Sequence, residues 1–107
     1  MVHSLSLSTM KFDIVFTEHA NIQMDELEQS KDKKIVCKAV NKILGFMETN
    51  LRHPSLNTHE YDAMSGPNGE KIFESYAQNR TPGFYRIFWH YGQGKKQITI
   101  LEICPHP

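Results

Sequence analysis

The last third of the chain most constrains the fold, because three runs there have strand composition and are separated by turn signals. The runs are residues 71–76, 84–91 and 97–104, and all three are rich in aromatic and β-branched residues. Residues 81–83 and 92–96 contain proline or glycine and have lengths suited to hairpins. We therefore predict an antiparallel meander.

The middle run predicts a strand with two different faces. Side chains alternate across a strand, so Arg86, Phe88 and His90 share one face. The other face carries Tyr85, Ile87, Trp89 and Tyr91. An arginine inside such an aromatic strand is costly to bury unless it is paired.

The first half of the chain predicts a short strand and two helices. Residues 12–17 have strand composition, and a helix follows from Thr17 or Glu18 to about Gln29. A second helix is predicted over residues 31–51, where apolar residues recur at spacings of three and four, and it ends before His53-Pro54. These apolar positions are Val36, Val40, Ile43, Met47 and Leu51.

A polar connection is predicted over residues 55–70, with a turn at residues 65–69. The resulting fold class is α+β, with two N-terminal helices packed on a small antiparallel sheet and a short first strand before the helices. Residues 1–10 are Ser-rich and uncharged, and we expect them to be a disordered lead-in to a single domain over residues 11–107.

Charge is balanced over the 107 residues, with 12 Lys and Arg against 12 Asp and Glu, but it is unevenly distributed. Residues 1–30 carry one basic and five acidic residues, a net charge of −4. Residues 31–56 carry six basic and two acidic residues, a net charge of +4, and residues 57–107 carry five of each. The second helix carries a lysine face, at Lys31, Lys34, Lys38 and Lys42. That face is either solvated or attracts an anionic partner.

Several classes of function lack support in the sequence. No apolar stretch approaches the roughly 18 residues of a membrane span, and no signal peptide is evident, so we expect a cytoplasmic protein. Cys37 and Cys104 have no CxxC spacing, and we expect both to be reduced. The motifs GxGxxG, GxSxG and HExxH and the P-loop are absent, and we expect neither a metal nor another cofactor.

Two polar residues near the predicted sheet could carry chemistry. Arg86 either pairs with a carboxylate such as Glu74 as a structural ion pair or lines an anion site. His106 lies between two prolines directly after the last strand, where a histidine is either merely exposed or held rigidly as a general acid or base.

The order of these elements resembles the RelE/ParE superfamily of bacterial toxins. The segments that carry the resemblance are HPSLNTHEY, FESY, YRIFWHY and the closing PHP, within residues 12–106. The resemblance implies a cognate antitoxin as a partner and one of two targets. RelE-type members cut mRNA in the ribosome, whereas ParE-type members poison DNA gyrase.

The resemblance also implies roles for particular residues. Arg86 matches the family arginine in an aromatic-Arg-aliphatic strand, His106 matches a histidine after the last strand, and either His59 or Glu74 would be the base. RNA cleavage by its own 2′-hydroxyl needs such a base, a cation for the phosphorane and an acid for the leaving oxygen, without a metal. Further RNA contacts are expected from Lys71, Arg80, Tyr76, Phe88, Lys34 and Lys38, of which the aromatic residues would stack on bases.

Neutral net charge limits this expectation, because phosphate contacts supply most non-specific affinity for nucleic acid. We therefore expect weak binding to free RNA and activity only on the ribosome. The alternatives are a gyrase-binding toxin without a catalytic site and an inactive member that only binds its antitoxin.

Overall fold

A computed structural model describes residues 11–77, 84–94 and 96–106. The predicted lead-in, residues 1–10, lies outside this part of the chain. The strands and α-helices of the described residues follow in chain order, as β1 (Asp13–Phe16), α1 (Glu18–Gln29), α2 (Lys34–Thr49), β2 (His59–Ser65), β3 (Lys71–Tyr76), β4 (Tyr85–Tyr91) and β5 (Gln97–Pro105). The fold is α+β, as predicted.

The five strands form one mixed sheet in the order β1-β5-β4-β3-β2. Neighbours from β2 to β5 are antiparallel, which confirms the meander, but β1 pairs with β5 in parallel. The expectation of a purely antiparallel sheet is therefore wrong at this edge. Two helices separate β1 from the meander, and a connection of that length allows a parallel pairing.

The segment predicted as a polar connection contains β2, the second edge strand of the sheet. Most of its side chains are exposed, and its pairing with β3 shifts register between Glu60 and Ser65. The strand therefore lacks the apolar alternation by which half-buried strands are recognised. The turn predicted after it is present, with Gly69 at a φ of 82°, which favours glycine.

Both helices begin and end close to their predicted limits. Thr17 caps α1, because its hydroxyl oxygen accepts a hydrogen bond of 3.1 Å from the N–H of Ala20. A 3-10 turn, Lys31–Lys33, precedes α2 and takes up the start of the predicted second helix. In the described residues, neither helix has the length and apolar content to cross a membrane.

The main core lies between the two helices and one face of the sheet. Helical residues such as Met24, Val40 and Met47 pack there against Ile87 and Trp89 of β4. Arg86 and Phe88 point to the opposite face, as the alternation predicted. Among the described residues, that second face carries no helix, and it holds the candidate site.

Candidate active site

Glu74 lies at the centre of a polar cluster on the helix-free face. Its side chain is only 3% exposed. Three donors surround its carboxylate: Arg86 Nη1 lies 2.7 Å from Oε2, and His59 Nε2 lies 2.7 Å and the Tyr76 hydroxyl 3.2 Å from Oε1. These contacts offset the cost of burying a carboxylate.

The register of the sheet explains why these residues meet. His59 of β2 lies opposite Glu74 of β3, and Tyr76 of β3 lies opposite Arg86 of β4. Residues two apart on a strand point to the same face, so these pairs form neighbouring rows. The structure thus brings together Arg86, Glu74 and His59, three of the four residues expected to be catalytic.

The guanidinium of Arg86 is held by more than its partner carboxylate. It lies 4.7 Å from the centre of the Phe88 ring and 5.9 Å from that of Tyr61. Burial alone would lower the pKa of Arg86, but hydrogen bonding to Glu74 and to Cys104 outweighs it and raises the pKa above its ordinary value. Its Nε is buried without a hydrogen-bond partner in the described structure.

His106, the fourth expected catalytic residue, lies at the end of the same sheet. Its backbone N–H donates a hydrogen bond of 2.7 Å to the carbonyl of Phe84, and its ring stacks on Phe84 at 4.7 Å between centroids. The ring of Tyr76 lies 6.0 Å from His106 and 5.5 Å from His59. Tyr76 therefore connects the terminal histidine with the Glu74 cluster.

The residues expected to contact RNA lie in different places. Lys71 faces Glu60 at 3.7 Å on the edge of the sheet. Phe88 is buried beneath Tyr61 and Arg86, so a base could stack on it only after displacing them. Lys34 and Lys38 belong to α2, which covers the opposite face of the sheet. Arg80 lies outside the described residues.

Sequence reasoning missed two neighbours of Arg86. Tyr61 contacts the Phe88 ring at 4.8 Å, and its position two residues after His59 would have placed it on the same face had β2 been recognised. Cys104 lies opposite Arg86 in β5. Burial raises the pKa of the Cys104 thiol, and the charge of Arg86 opposes this shift only in part.

The described residues contain no group of three or more His, Cys, Asp or Glu side chains arranged to hold a metal ion. The Glu74 carboxylate is occupied by three hydrogen-bond donors. A guanidinium, a carboxylate and an imidazole in contact are groups that can hold an anion and move protons.

Comparisons with known proteins support the fold. No protein-family model matches the chain, and no curated protein matches it in sequence. Several solved structures are similar. A chain of an archaeal RelE-RelB complex from Pyrococcus horikoshii has a TM-score of 0.60 and 12% identity over 90% of this chain and 96% of that chain.

Two further similar structures are a YoeB/ParE toxin and a YoeB dimer. A YoeB/ParE toxin from Agrobacterium tumefaciens has a TM-score of 0.60 and 9% identity over 90% of this chain and 100% of that chain. A YoeB dimer from Staphylococcus aureus has a TM-score of 0.58 and 14% identity over 91% and 98%. The chain therefore has the fold of RelE/ParE-type toxins.

Proposed function

We propose that this protein is the toxin of a toxin–antitoxin pair and that it cuts mRNA on the ribosome without a metal ion. The observation that carries the proposal is the buried Glu74 carboxylate, which holds Arg86 and His59 on a helix-free sheet face. Tyr76 connects this cluster with His106. A cation and two histidines are the groups that attack by a 2′-hydroxyl requires.

His59 serves as the general base, and Glu74 positions it. Glu74 is nearly inaccessible and already accepts from three donors, whereas the His59 side chain is 51% exposed. The ionised carboxylate favours a proton on Nε2 of His59, which leaves Nδ1 to take the proton of the 2′-hydroxyl. Nδ1 lies 3.2 Å from the carbonyl oxygen of Asn57, which only accepts hydrogen bonds, so the half-exposed ring must turn Nδ1 away from Asn57 before Nδ1 can take that proton.

Arg86 stabilises the charge that develops on the phosphorus. Its Nε is buried, but the side chain as a whole is 16% exposed, so the guanidinium charge acts on a phosphate at the surface of the sheet. The ion pair with Glu74 fixes the guanidinium before substrate arrives, so little reorganisation is needed in the transition state.

His106 donates a proton to the leaving 5′-oxygen. Its ring is held against Phe84, and its backbone is tied to the end of β4. The bond from phosphorus to the 5′-oxygen breaks as the 2′-oxygen bonds to phosphorus. The products are a 2′,3′-cyclic phosphate and a 5′-hydroxyl, and His59 ends with the proton that the 2′-hydroxyl lost.

The proposed partners follow from the charges and from one similar structure. The RelE neighbour is a complex with RelB, and we infer a cognate antitoxin for this chain as well. The chain carries no net charge, so the ribosome, not the affinity of the protein for RNA, brings substrate to the site. This function places the protein in the cytoplasm.

A gyrase-binding toxin is the second candidate. The observation in its favour is that Glu74 already neutralises the charge of Arg86, as in a purely structural ion pair. Binding to gyrase requires no catalytic histidine, so this candidate assigns no role to the fixed position of His106.

Cleavage on translating ribosomes separates the candidates. We expect the purified protein to cut mRNA in a reconstituted translation system, with Arg86→Ala and His59→Ala losing cleavage and Lys42→Ala retaining it. Intact mRNA together with inhibition of DNA supercoiling by gyrase would contradict the nuclease function and support the gyrase-binding toxin. Antitoxin binding without either effect would indicate an inactive member.

A further inference from the structure

A groove of about 400 Å³ lies on the helix side of the sheet, at the end where β4 begins and β5 finishes. Its apolar lining comes from Leu27, Ile103 and Pro105. Gln23, Ser30 and Lys33 add polar groups. Polar and apolar side chains share this groove, whose volume lies within the range of sites for small organic groups.

The polar side chains of this groove are held in place by the sheet. The ammonium of Lys33 donates a hydrogen bond of 3.1 Å to the hydroxyl of Tyr85. The side-chain oxygen of Gln23 accepts a hydrogen bond of 2.7 Å from the N–H of Ile103, which leaves the amide NH₂ of Gln23 as a donor. The groove thus presents a fixed cation and a fixed amide.

The groove adjoins the candidate active site around the end of the sheet. Tyr85 lies opposite Pro105 in the register of β4 and β5. The next residues along the two strands are Arg86 and His106, which belong to the proposed catalytic group. Lys33 bonds to Tyr85, the residue before Arg86, so the groove and the proposed catalytic group lie on opposite faces of the same sheet end.

The charges around the groove suit a single phosphate and an uncharged base. Residues 31–34 carry three lysines and one aspartate, so the rim attracts phosphate. Glu26 also lines the groove and repels anions, so only a phosphate placed on the Lys33 side and carrying little charge is accommodated. A polyphosphate is a poor fit, whereas one nucleotide of a strand presents one phosphate, a sugar and a base.

We propose that this groove is a subsite for a nucleotide of single-stranded RNA next to the cleaved bond, with its phosphate on Lys33 and its base against Leu27 and Pro105. The subsite rests on the proposed nuclease function. It assigns RNA binding to Lys33, which sequence reasoning passed over in favour of Lys34 and Lys38.

An uncleavable RNA tests the subsite without relying on catalysis. The probe is a six-nucleotide RNA with every 2′-hydroxyl methylated, titrated into the isotope-labelled full chain and followed by NMR. We expect shifts of the backbone amides of Ser30 and Ile103 as well as those of Glu74 and Arg86. Lys33→Gln should weaken binding roughly tenfold, because a hydrogen bond to a charged group is lost. Lys42→Gln, on the adjoining helix α2 and outside the groove, is the matched control.

The outcomes distinguish the subsite from the nuclease function. Shifts at Glu74 and Arg86 with none at Ser30 and Ile103 would overturn the subsite alone, as would equal effects of Lys33→Gln and Lys42→Gln. Shifts at neither place, even at millimolar RNA, would overturn the subsite, and intact mRNA on ribosomes would then remove the nuclease function as well.

Discussion

The Oε2 atom of Glu74 and the Nη1 atom of Arg86 lie 2.7 Å apart on the sheet face opposite the helices, and both side chains are largely shielded from water. A buried ion pair of this kind contributes little more than an apolar pair of similar volume, but the loss of one partner leaves an uncompensated charge. The pair is therefore a sensitive point for stability as well as for the proposed chemistry.

Removal of Arg86 should destabilise the fold. We expect Arg86→Met to lower the free energy of unfolding by about 3 kcal/mol, because the Glu74 carboxylate stays buried without its strongest partner. The double variant Glu74→Leu with Arg86→Met should recover most of that loss. Urea denaturation of the unchanged protein, Glu74→Leu, Arg86→Met and the double variant measures the coupling free energy between the two residues. Strictly additive changes in the free energy of unfolding would contradict a direct interaction.

His59 should separate activity from stability. Its side chain is half exposed, so we expect His59→Ala to change the free energy of unfolding by less than about 1 kcal/mol. The rate of mRNA cleavage on ribosomes should fall roughly 10²-fold to 10⁴-fold, as for the loss of a general base. His19→Ala removes another exposed histidine, which lies near Glu102, and should leave cleavage unchanged. Full cleavage by His59→Ala would exclude it as the base.

Elements with a strong apolar pattern were predicted from the sequence, whereas features that depend on the pairing of strands were missed. The apolar period of α2 and the alternation in β4 come from burial against the core, and both predictions are confirmed. Strand β2 is held by an edge pairing with β3 and exposes most of its side chains, so burial leaves no pattern in it. The parallel pairing of β1 with β5 depends on the whole topology and not on the four residues of β1.

The candidate site divides in the same way. The alternation in β4 placed Arg86 and Phe88 on one face, but burial of Phe88 under Tyr61 depends on the unrecognised β2. Glu74 was named from the sequence as a possible carboxylate partner of Arg86, and their contact follows from the register of β3 and β4. The position of His59 beside Glu74 depends on the same missing strand.

Ser75 should be critical for the core beneath β3. It is fully buried, its hydroxyl oxygen accepts a hydrogen bond of 3.0 Å from Trp89 Nε1, and it lies 2.7 Å from the hydroxyl of Thr58. Ser75→Ala leaves the indole N–H unsatisfied, and we expect a loss of about 1–3 kcal/mol in urea denaturation. The fluorescence of Trp89, the one tryptophan of the chain, should change in the folded state. Thr58→Val keeps the bond to Trp89 and should cost less.

Alkaline pH should destabilise the protein through Cys104 and Tyr76. Burial raises the pKa of both groups in the folded state, with smaller contributions from Glu74 for Tyr76 and from Glu102 and Glu74 for Cys104. The unfolded chain therefore loses these protons first, at about pH 8.5 for a thiol and about pH 10 for a tyrosine, and stability falls as pH rises further. The stabilising effect is fully present below those values and is lost as pH rises through the folded pKa of each group.

Single substitutions can show how much of the loss of stability at alkaline pH comes from Cys104 and how much from Tyr76. We expect Cys104→Ala to flatten the fall in unfolding free energy that begins near pH 8.5, and Tyr76→Phe to flatten the part that begins near pH 10, in urea titrations from pH 7 to 11. Cys37→Ala is the matched control for removal of a thiol. An unchanged slope in Cys104→Ala would mean that its thiol ionises alike in the folded and unfolded chains, and the burial beside Arg86 would then not govern its titration.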